Sequence, residues 1–421
     1  MMHKPDWLEA ALSAPIDAGF FATAEGGVDA AILADPQGYL ESLRQQEGDF
    51  IPAPEGVLGG KPVPFLQSPV PGRPTFVATG YETLKSVLVD DRHFLQDYEF
   101  SLAPIMGETL ISGLNPPVHA KYRALVSKAF GAKSISALTD ESLEPLVTAL
   151  LERIAAQGGG ELVADLACRI PVVILGQLIG LPPTGYDRFA ELAARIMAFA
   201  YHWDDAMAAA AELRELVLGL IEARRADPQG DLLSHLLAAE IDGERLSDED
   251  VVTFARALIP AGIETTTRGM GTVFAALLSQ PGLYQRLLAD ASLVPVAVEE
   301  ILRWNGPAQM IPKKTSIDVE IAGRVVPANA SIWCALGHAN RDPQFWDRPT
   351  EIALDRPRGR SLTFSNGAHT CIGNVLARKE LEGTVQLALR ILPKLRLDPQ
   401  AQAPQIQGVL FRSPDRCAVL V

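Results

Sequence analysis

The sequence predicts a mainly α protein with minor antiparallel β sheets, folded as one large domain over residues 1–421. Three observations carry that expectation. From Pro116 to about Gly282 the chain runs in long stretches rich in Ala, Leu and Glu, the pattern of packed amphipathic helices. Short β-branched runs, Thr75 to Thr79 and Val319 to Val326, lie toward the two ends between Gly and Pro residues, as small sheets would. No internal period of about 20 to 50 residues recurs, and no Ser/Gly/Pro linker divides the chain.

Composition narrows the function classes. Among 421 residues, 37 basic and 51 acidic side chains give 37 − 51 = −14, with 48% apolar and 21% charged residues. A mean hydropathy of +0.12 excludes wholesale disorder. The acidic balance and the lack of a Lys/Arg block exclude nucleic acid as a partner, because phosphate contacts need clustered positive charge. Cys168, Cys334, Cys371 and Cys417 are too scattered for a disulfide framework, which suggests a reducing compartment. Met1 to Gly19 mixes Lys4, Asp6, Glu9 and Asp17 among its apolar residues, the pattern of neither a signal peptide nor a membrane span; a cytoplasmic protein is expected.

The elements follow in chain order. Asn115-Pro116-Pro117-Val118-His119 opens a helix reaching Phe130, with Pro117 in the first turn and His119 and Arg123 four apart on one face. Helical runs such as Asp187 to Arg225 follow, interrupted at Gly158-Gly159-Gly160 and Pro182-Pro183. Ser247 to Asp250 reads as an acidic capping box, and the helical pattern then continues to about Ser279, roughly 48 Å at 1.5 Å per residue. Embedded Arg256, Glu264 and Arg268 argue against a lipid span there.

Within that long helix, Ala261-Gly262-Ile263-Glu264-Thr265-Thr266 follows Pro260. Proline leaves the Arg256 carbonyl without its usual donor, and the Thr265 hydroxyl can bond the Ala261 carbonyl, so a groove should open, kept uncrowded by Gly262. An acid beside an alcohol offers a proton path, although the same features describe an ordinary kinked core helix. Further on, Glu300 and Arg303 stand three apart on a helical stretch, a spacing common on solvated surfaces. Finally, Phe364-Ser365-Asn366-Gly367-Ala368-His369-Thr370-Cys371-Ile372-Gly373 places a cysteine between two glycines just before an Ala-rich helix, Asn374 to Leu389. Unpaired helix amides favour a thiolate there, ready to bind a metal, and glycines allow a flat ligand to approach the backbone; the alternative is a small buried hydrophobe.

Phe364, Gly367, His369, Cys371 and Gly373 together resemble the haem-binding loop of the cytochromes P-450, soluble bacterial type, with Ser365 where the family usually has glycine. The resemblance spans Pro116 to Gly373 in the family's motif order and implies the following expectations. Cys371 ligates the iron of haem b, iron protoporphyrin IX, beneath the long central helix; thiolate ligation favours O–O cleavage. Phe364, Gly367, His369 and Gly373 shape the loop, while His119, Arg123 and Lys313 donate toward the haem propionates. Ala261 and Gly262 line the O2 groove, with Glu264 and Thr265 as the catalytic proton donors. Glu300, Arg303 and Arg356 form a structural triad.

Candidate pocket walls, again by resemblance, are the loop from Phe94 to Ile111, the helices around Ile196 to Trp203, and Leu258, Ala261, Ala308, Met310, Val409, Leu410 and Phe411. The implied activity is a monooxygenase acting on a small hydrophobic organic substrate, by hydroxylation or oxidative demethylation, with electrons from ferredoxin and ferredoxin reductase. Lys121, Lys128, Arg358, Arg360, Arg378 and Lys379 are the expected docking patch. Two alternatives remain: a peroxide-driven or non-oxidative haem-thiolate enzyme, and a noncatalytic haem-binding sensor protein. Phosphate-loop, dinucleotide and nucleophile-elbow motifs are lacking, so nucleotide and serine-hydrolase readings have no support.

Overall fold

A computed structural model describes residues 6–13, 27–68, 70–98, 103–197, 199 and 202–421. Most of the proposed N-terminal reading, and parts of the Phe94 to Ile111 and Ile196 to Trp203 pocket elements, lie outside the described residues.

The expected helical body is present. Its breaks fall where turn chemistry placed them: Gly158 adopts left-handed φ 76° to cap Ala132–Gln157, and Pro183–Gly185 forms a short 3₁₀ turn. The Asp187 to Arg225 run divides into Tyr186–Met197 and Trp203–Ala226. The capping box is formed in full, with the Asp250 N–H donating to Ser247 Oγ and the Ser247 N–H donating to Asp250 Oδ2. It starts a continuous run: Asp248–Leu258, a π-helical segment Ile259–Glu264, then Thr265–Ser279. Residues Thr266 to Leu277 of this run are buried, so it passes through the main core and packs on Val294–Asn305, Asn374–Ile391 and the C-terminal hairpin.

Small sheets flank the helices, and one differs from the expectation of antiparallel pairing. In the five-stranded sheet, Thr75–Ala78 pairs parallel with Ser331–Cys334, while Phe50–Pro52, Ile311–Thr315 and Phe94–Gln96 pair antiparallel. A parallel pair needs a long crossover, and here most of the helical body serves as one. The Val319 to Val326 run is a hairpin, Val319–Ile321 against Arg324–Val326, turned through Ala322 and Gly323 with φ 50° and 73°. Near the C-terminus, Ile406–Gln407 pairs with Ser413–Pro414.

Candidate active site

The cysteine loop is held from within. The Cys371 N–H donates to the Phe364 carbonyl at 2.9 Å, the Thr370 N–H to the Gly367 carbonyl at 3.1 Å, and Asn374 Nδ2 to the Cys371 carbonyl at 2.6 Å. Gly367 is required twice over: its φ is +76°, and a Cβ there would lie 2.7 Å from the Leu88 carbonyl oxygen. Ser365 also sits at positive φ, 61°, with its buried Oγ unpartnered, where left-handed backbone favours glycine.

Burial raises the Cys371 thiol pKa, while the Gly373 amide and the guanidinium groups of Arg123 and Arg378 pull it down. The net direction is upward, burial outweighing these three partners. Arg378 spans the outside of the loop: its Nε donates to Glu299 at 2.9 Å and its guanidinium lies 4.3 Å from the Phe364 ring centroid.

His119 and Arg123 meet the loop on one side. The helix carrying them, Val118–Ala129, starts where Asn115 accepts the His119 N–H at its carbonyl and the Gln96 N–H at Oδ1. Arg123 Nη2 donates to the Thr370 carbonyl at 2.6 Å, and the His119 ring stacks on His369 with centroids 3.7 Å apart. Lys313 is fully buried in its strand and donates to the Phe94 carbonyl at 3.1 Å. Burial first, and then the fields of His119, Lys313 and Arg123, press the His369 pKa down to about 3. His119 is lowered likewise, by burial and by Arg123. Four nitrogen-bearing side chains therefore crowd one place, and His119 Nε2 is buried there with no partner. A set of donors that disfavour one another's positive charge fits a ligand with carboxylates, as haem propionates are. Ser361 stays out of this cluster and bonds Thr363 Oγ1 at 2.7 Å.

The long helix opens at the π segment. Thr265 Oγ1 donates to the Ala261 carbonyl at 2.6 Å, as the sequence suggested, and Ala261 is solvent-accessible between buried Ile259 and Ile263. At Gly262 a Cβ would lie 2.7 Å from Leu175 Cδ1, so the glycine admits the helix Arg169–Leu178 at close range. Glu264 is nearly buried, which raises its pKa, and Arg268 opposes that rise from 3.0 Å.

The expected triad is formed. Arg303 grips Glu300 through Nε and Nη2, both at 2.8 Å, and Arg356 Nε reaches Glu300 Oε1 at 2.9 Å. Arg303 also donates to the carbonyls of Asn340, Pro349 and Glu351, so the helix Val294–Asn305 is fastened to the segment leading toward the cysteine loop.

Of the candidate pocket walls, Ala308 bridges Phe411, and Gln309 N–H donates to the Leu410 carbonyl at 2.9 Å, which brings Ala308, Met310 and Val409 to Phe411 together. Leu258 belongs to a different packing cluster, that of the helical body, whereas Met310 and Val409 pack with the sheet. Two members of the expected basic patch are ion-paired, Lys121 with Glu244 and Arg378 with Glu299, while Lys128 donates to the Glu240 backbone carbonyl and keeps its charge. Sequence reading missed Glu380, fully buried behind Thr266, and the Ser413 contact to Arg268.

A thiol framed this way, with carboxylate-seeking donors massed to one side, is the arrangement of a haem-thiolate oxidoreductase. Comparison with known proteins agrees: the cytochrome P450 family model matches residues 192–408, and the chain belongs to that family. Its cofactor is haem b. The chain is 32% identical over 363 residues to the mycinamicin IV hydroxylase/epoxidase of Micromonospora griseorubida, covering 84% of this chain and 91% of that protein. It is 32% identical to the vitamin D(3) 25-hydroxylase of Pseudonocardia autotrophica, over 77% and 81% of the two chains. Among solved structures it is similar to a cytochrome P450 of Chondromyces apiculatus, with TM-score 0.80, 26% identity and coverage of 93% and 96%. A Bacillus megaterium cytochrome P450 in complex with testosterone gives TM-score 0.75 at 27% identity, covering 82% and 92%. The chain is thus a monooxygenase-family oxidoreductase that uses O2 and a redox partner. Among the described residues, no helix is long and apolar enough to cross a membrane.

Proposed function

We propose that this chain acts as one domain that inserts one oxygen atom of O2 into a small hydrophobic organic substrate, by hydroxylation or oxidative demethylation, with electrons from a ferredoxin and its reductase. The observation that carries this reading is the π-helical opening at Ile259–Glu264, where the Thr265 hydroxyl is back-bonded to Ala261 and a nearly buried acid stands beside it. A peroxide-driven or non-oxidative haem-thiolate enzyme and a noncatalytic haem-binding sensor have no need of that pair.

When bound, haem supplies the oxygen-activating chemistry. Cys371 is the residue that would hold its iron, in the turn framed by Phe364, Gly367 and Gly373. His119, Arg123, Lys313 and His369 would take its carboxylates; Lys313, with one N–H on Phe94, acts there as a point charge rather than a fork. Ala261 borders the space above, with Gly262 setting the packing behind it. Glu264 holds the proton, and the Thr265 hydroxyl passes it on while keeping Ala261 O as its resting acceptor.

The grouping of Ala308, Met310, Val409, Leu410 and Phe411, with Leu258 on the long helix, favours an apolar molecule. The relatives named hydroxylases and the neighbour solved with testosterone support the same class. For the electron donor, exposed Val89, Val118 and Val375 lie on elements that join or adjoin the cysteine loop, and Arg358 and Arg360 add positive charge. A small acidic ferredoxin suits that mixture, and a cytoplasmic setting suits the donor. Thr265→Ala tests the reading: it should divert NADH-derived electrons to hydrogen peroxide, by about tenfold or more relative to product. Unchanged partitioning would remove Thr265 from the proton path.

A further inference from the structure

The long helix carries two arginines past its capping box, and they are treated differently. Arg268 is paired with Glu264, whereas no acceptor among the described residues reaches the guanidinium of Arg256. The Arg256 side chain is half-buried, and its Nε is shielded from solvent without a hydrogen bond. The nearby carboxylates are engaged elsewhere: Arg214 holds Glu249 through Nε at 3.1 Å and again through Nη2, and Asp250 accepts from Ser247 and Tyr122. Burial lowers the Arg256 pKa; Glu249 opposes that change and Arg214 adds to it. Desolvating a charge without pairing it is costly, so a guanidinium kept in this state suits an anion that arrives from outside.

Its place in the fold says which anion. Thr253, Arg256 and Pro260 fall at i, i+3 and i+7, one stripe of the helix, and Pro260 is partly accessible where the π segment opens. Helical side chains lean toward the N-terminus, so the Arg256 head group lies on the side away from that opening. There it meets Gly107: a Cβ on that glycine would strike Thr253 Oγ1 and lie 3.1 Å from Arg256 Nη2. Gly107 directly follows Ala103–Met106, which packs on both Trp203–Ala226 and Asp248–Leu258. The cation thus stands where three elements converge, beside the Phe94 to Ile111 loop expected to wall the pocket.

We propose that Arg256 binds a carboxylate carried by the substrate, so that the preferred molecule is an apolar acid rather than a neutral apolar compound. Arg256 and Ala261 are five residues apart, roughly 8 Å of helix, and the head group leans further away. The carbon that is oxidised therefore lies at least about 8 Å from the carboxylate. An arginine fork matches both carboxylate oxygens, whereas an alcohol or an ester leaves the cation without a charged partner. This inference rests on the oxygen-insertion reading of the site, with Ala261 bordering the oxygen space.

The test titrates ferric, haem-loaded enzyme with two matched pairs, decanoate against 1-decanol and 4-phenylbutanoate against 4-phenyl-1-butanol, and follows haem absorbance. In at least one pair the acid should bind about tenfold or more tightly than its alcohol. Arg256→Gln should lose most of that preference while leaving alcohol affinity unchanged, and Arg256→Lys, which keeps the charge without the fork, should fall between. Without ligand, Arg256→Gln should melt no lower than wild type, because it removes a desolvated charge that has no protein partner. A wild type with no acid preference in either pair overturns the inference. So does a preference that survives Arg256→Gln, or an equal weakening of acid and alcohol. Should Arg256→Gln fail to retain haem, Arg256→Met, which keeps the apolar stem, is read by the same ratio. The oxygen-insertion reading is scored separately, by oxygenated product formed with NADH, ferredoxin and reductase. An acid preference lost in Arg256→Gln without any such product sustains the carboxylate site and counts against oxygen insertion.

Discussion

Glu380 offers the sharpest energetic test of how the helices pack behind the site. It lies on Asn374–Ile391, fully buried, with a side-chain hydrogen bond to Thr266 of the long helix and with Oε1 lacking a partner. Burial pushes its pKa from 4.5 to about 8, against a smaller opposing pull from Thr266. At 1.36 kcal/mol per unit, that shift corresponds to about 5 kcal/mol. The sign follows from the direction. The folded protein keeps a proton that the unfolded chain releases above its ordinary carboxyl range, so stability declines as pH rises from about 4.5 and levels off above about 8. Glutamine cannot titrate and has nearly the same shape. Glu380→Gln should therefore match wild type within about 1 kcal/mol near pH 5 and gain steadily to about 5 kcal/mol near pH 9. For a chain of 421 residues, an unfolding entropy of about 2.1 cal/mol/K per residue makes that gain roughly 5 °C in melting temperature. Melting curves of the haem-loaded pair across this pH range, followed by circular dichroism and by haem absorbance, give the measurement. A constant offset between the two proteins at every pH would refute a proton held on Glu380.

Three further outcomes are expected. Ser365→Gly removes an L side chain from φ 61° and deletes an unpartnered buried hydroxyl, so it should stabilise the protein by about 0.5–1 kcal/mol and slow haem loss, measured by transfer to excess apomyoglobin. Glu300→Gln leaves Arg303 and Arg356 facing each other without their shared carboxylate; a loss of about 3–5 kcal/mol is expected in chemical denaturation, with the thiolate-type carbonyl band of the reduced protein falling in parallel. Arg123→Ala removes both a donor at the carboxylate-seeking cluster and the tie to the Thr370 carbonyl, so haem retention should drop about tenfold; unchanged retention would mean that His119, Lys313 and His369 suffice.

What was legible in the sequence follows from how far apart the partners lie. The capping box at Ser247, the Gly158 cap and the Thr265 back-bond to Ala261 join residues within four positions of each other, and all three appear where local chemistry put them. The loop around Cys371 was readable because its glycines answer to backbone geometry, at Gly367 through a positive φ and a neighbouring carbonyl. Gly262 shows the limit: its lack of a side chain suggested an uncrowded groove, but only the packed structure reveals Leu175 as the neighbour on its Cβ side. The parallel pairing of Thr75–Ala78 with Ser331–Cys334 was similarly out of reach, since strand direction depends on the path of everything between them.

The charges make the same point about function. Glu264 and Arg268 are four apart, so their pairing was open to the i,i+4 rule, yet that rule says nothing of burial, and an exposed pair would be nearly neutral in energy. Burial gives the pair its consequence, and Ser413, 145 positions away, gives it a direction. Burial raises the Glu264 pKa and Arg268 only partly offsets that rise, so the acid keeps a proton more readily than an exposed one would. The same cation donates to Ser413 on the hairpin that bears Phe411 and lies over that ring, so the pair is fixed by tertiary packing as well as by helix spacing. Glu380 has no such cation and burial pushes its pKa up to about 8, so the two carboxyls near Thr265 and Thr266 are both raised by burial and differ in whether a cation opposes the rise.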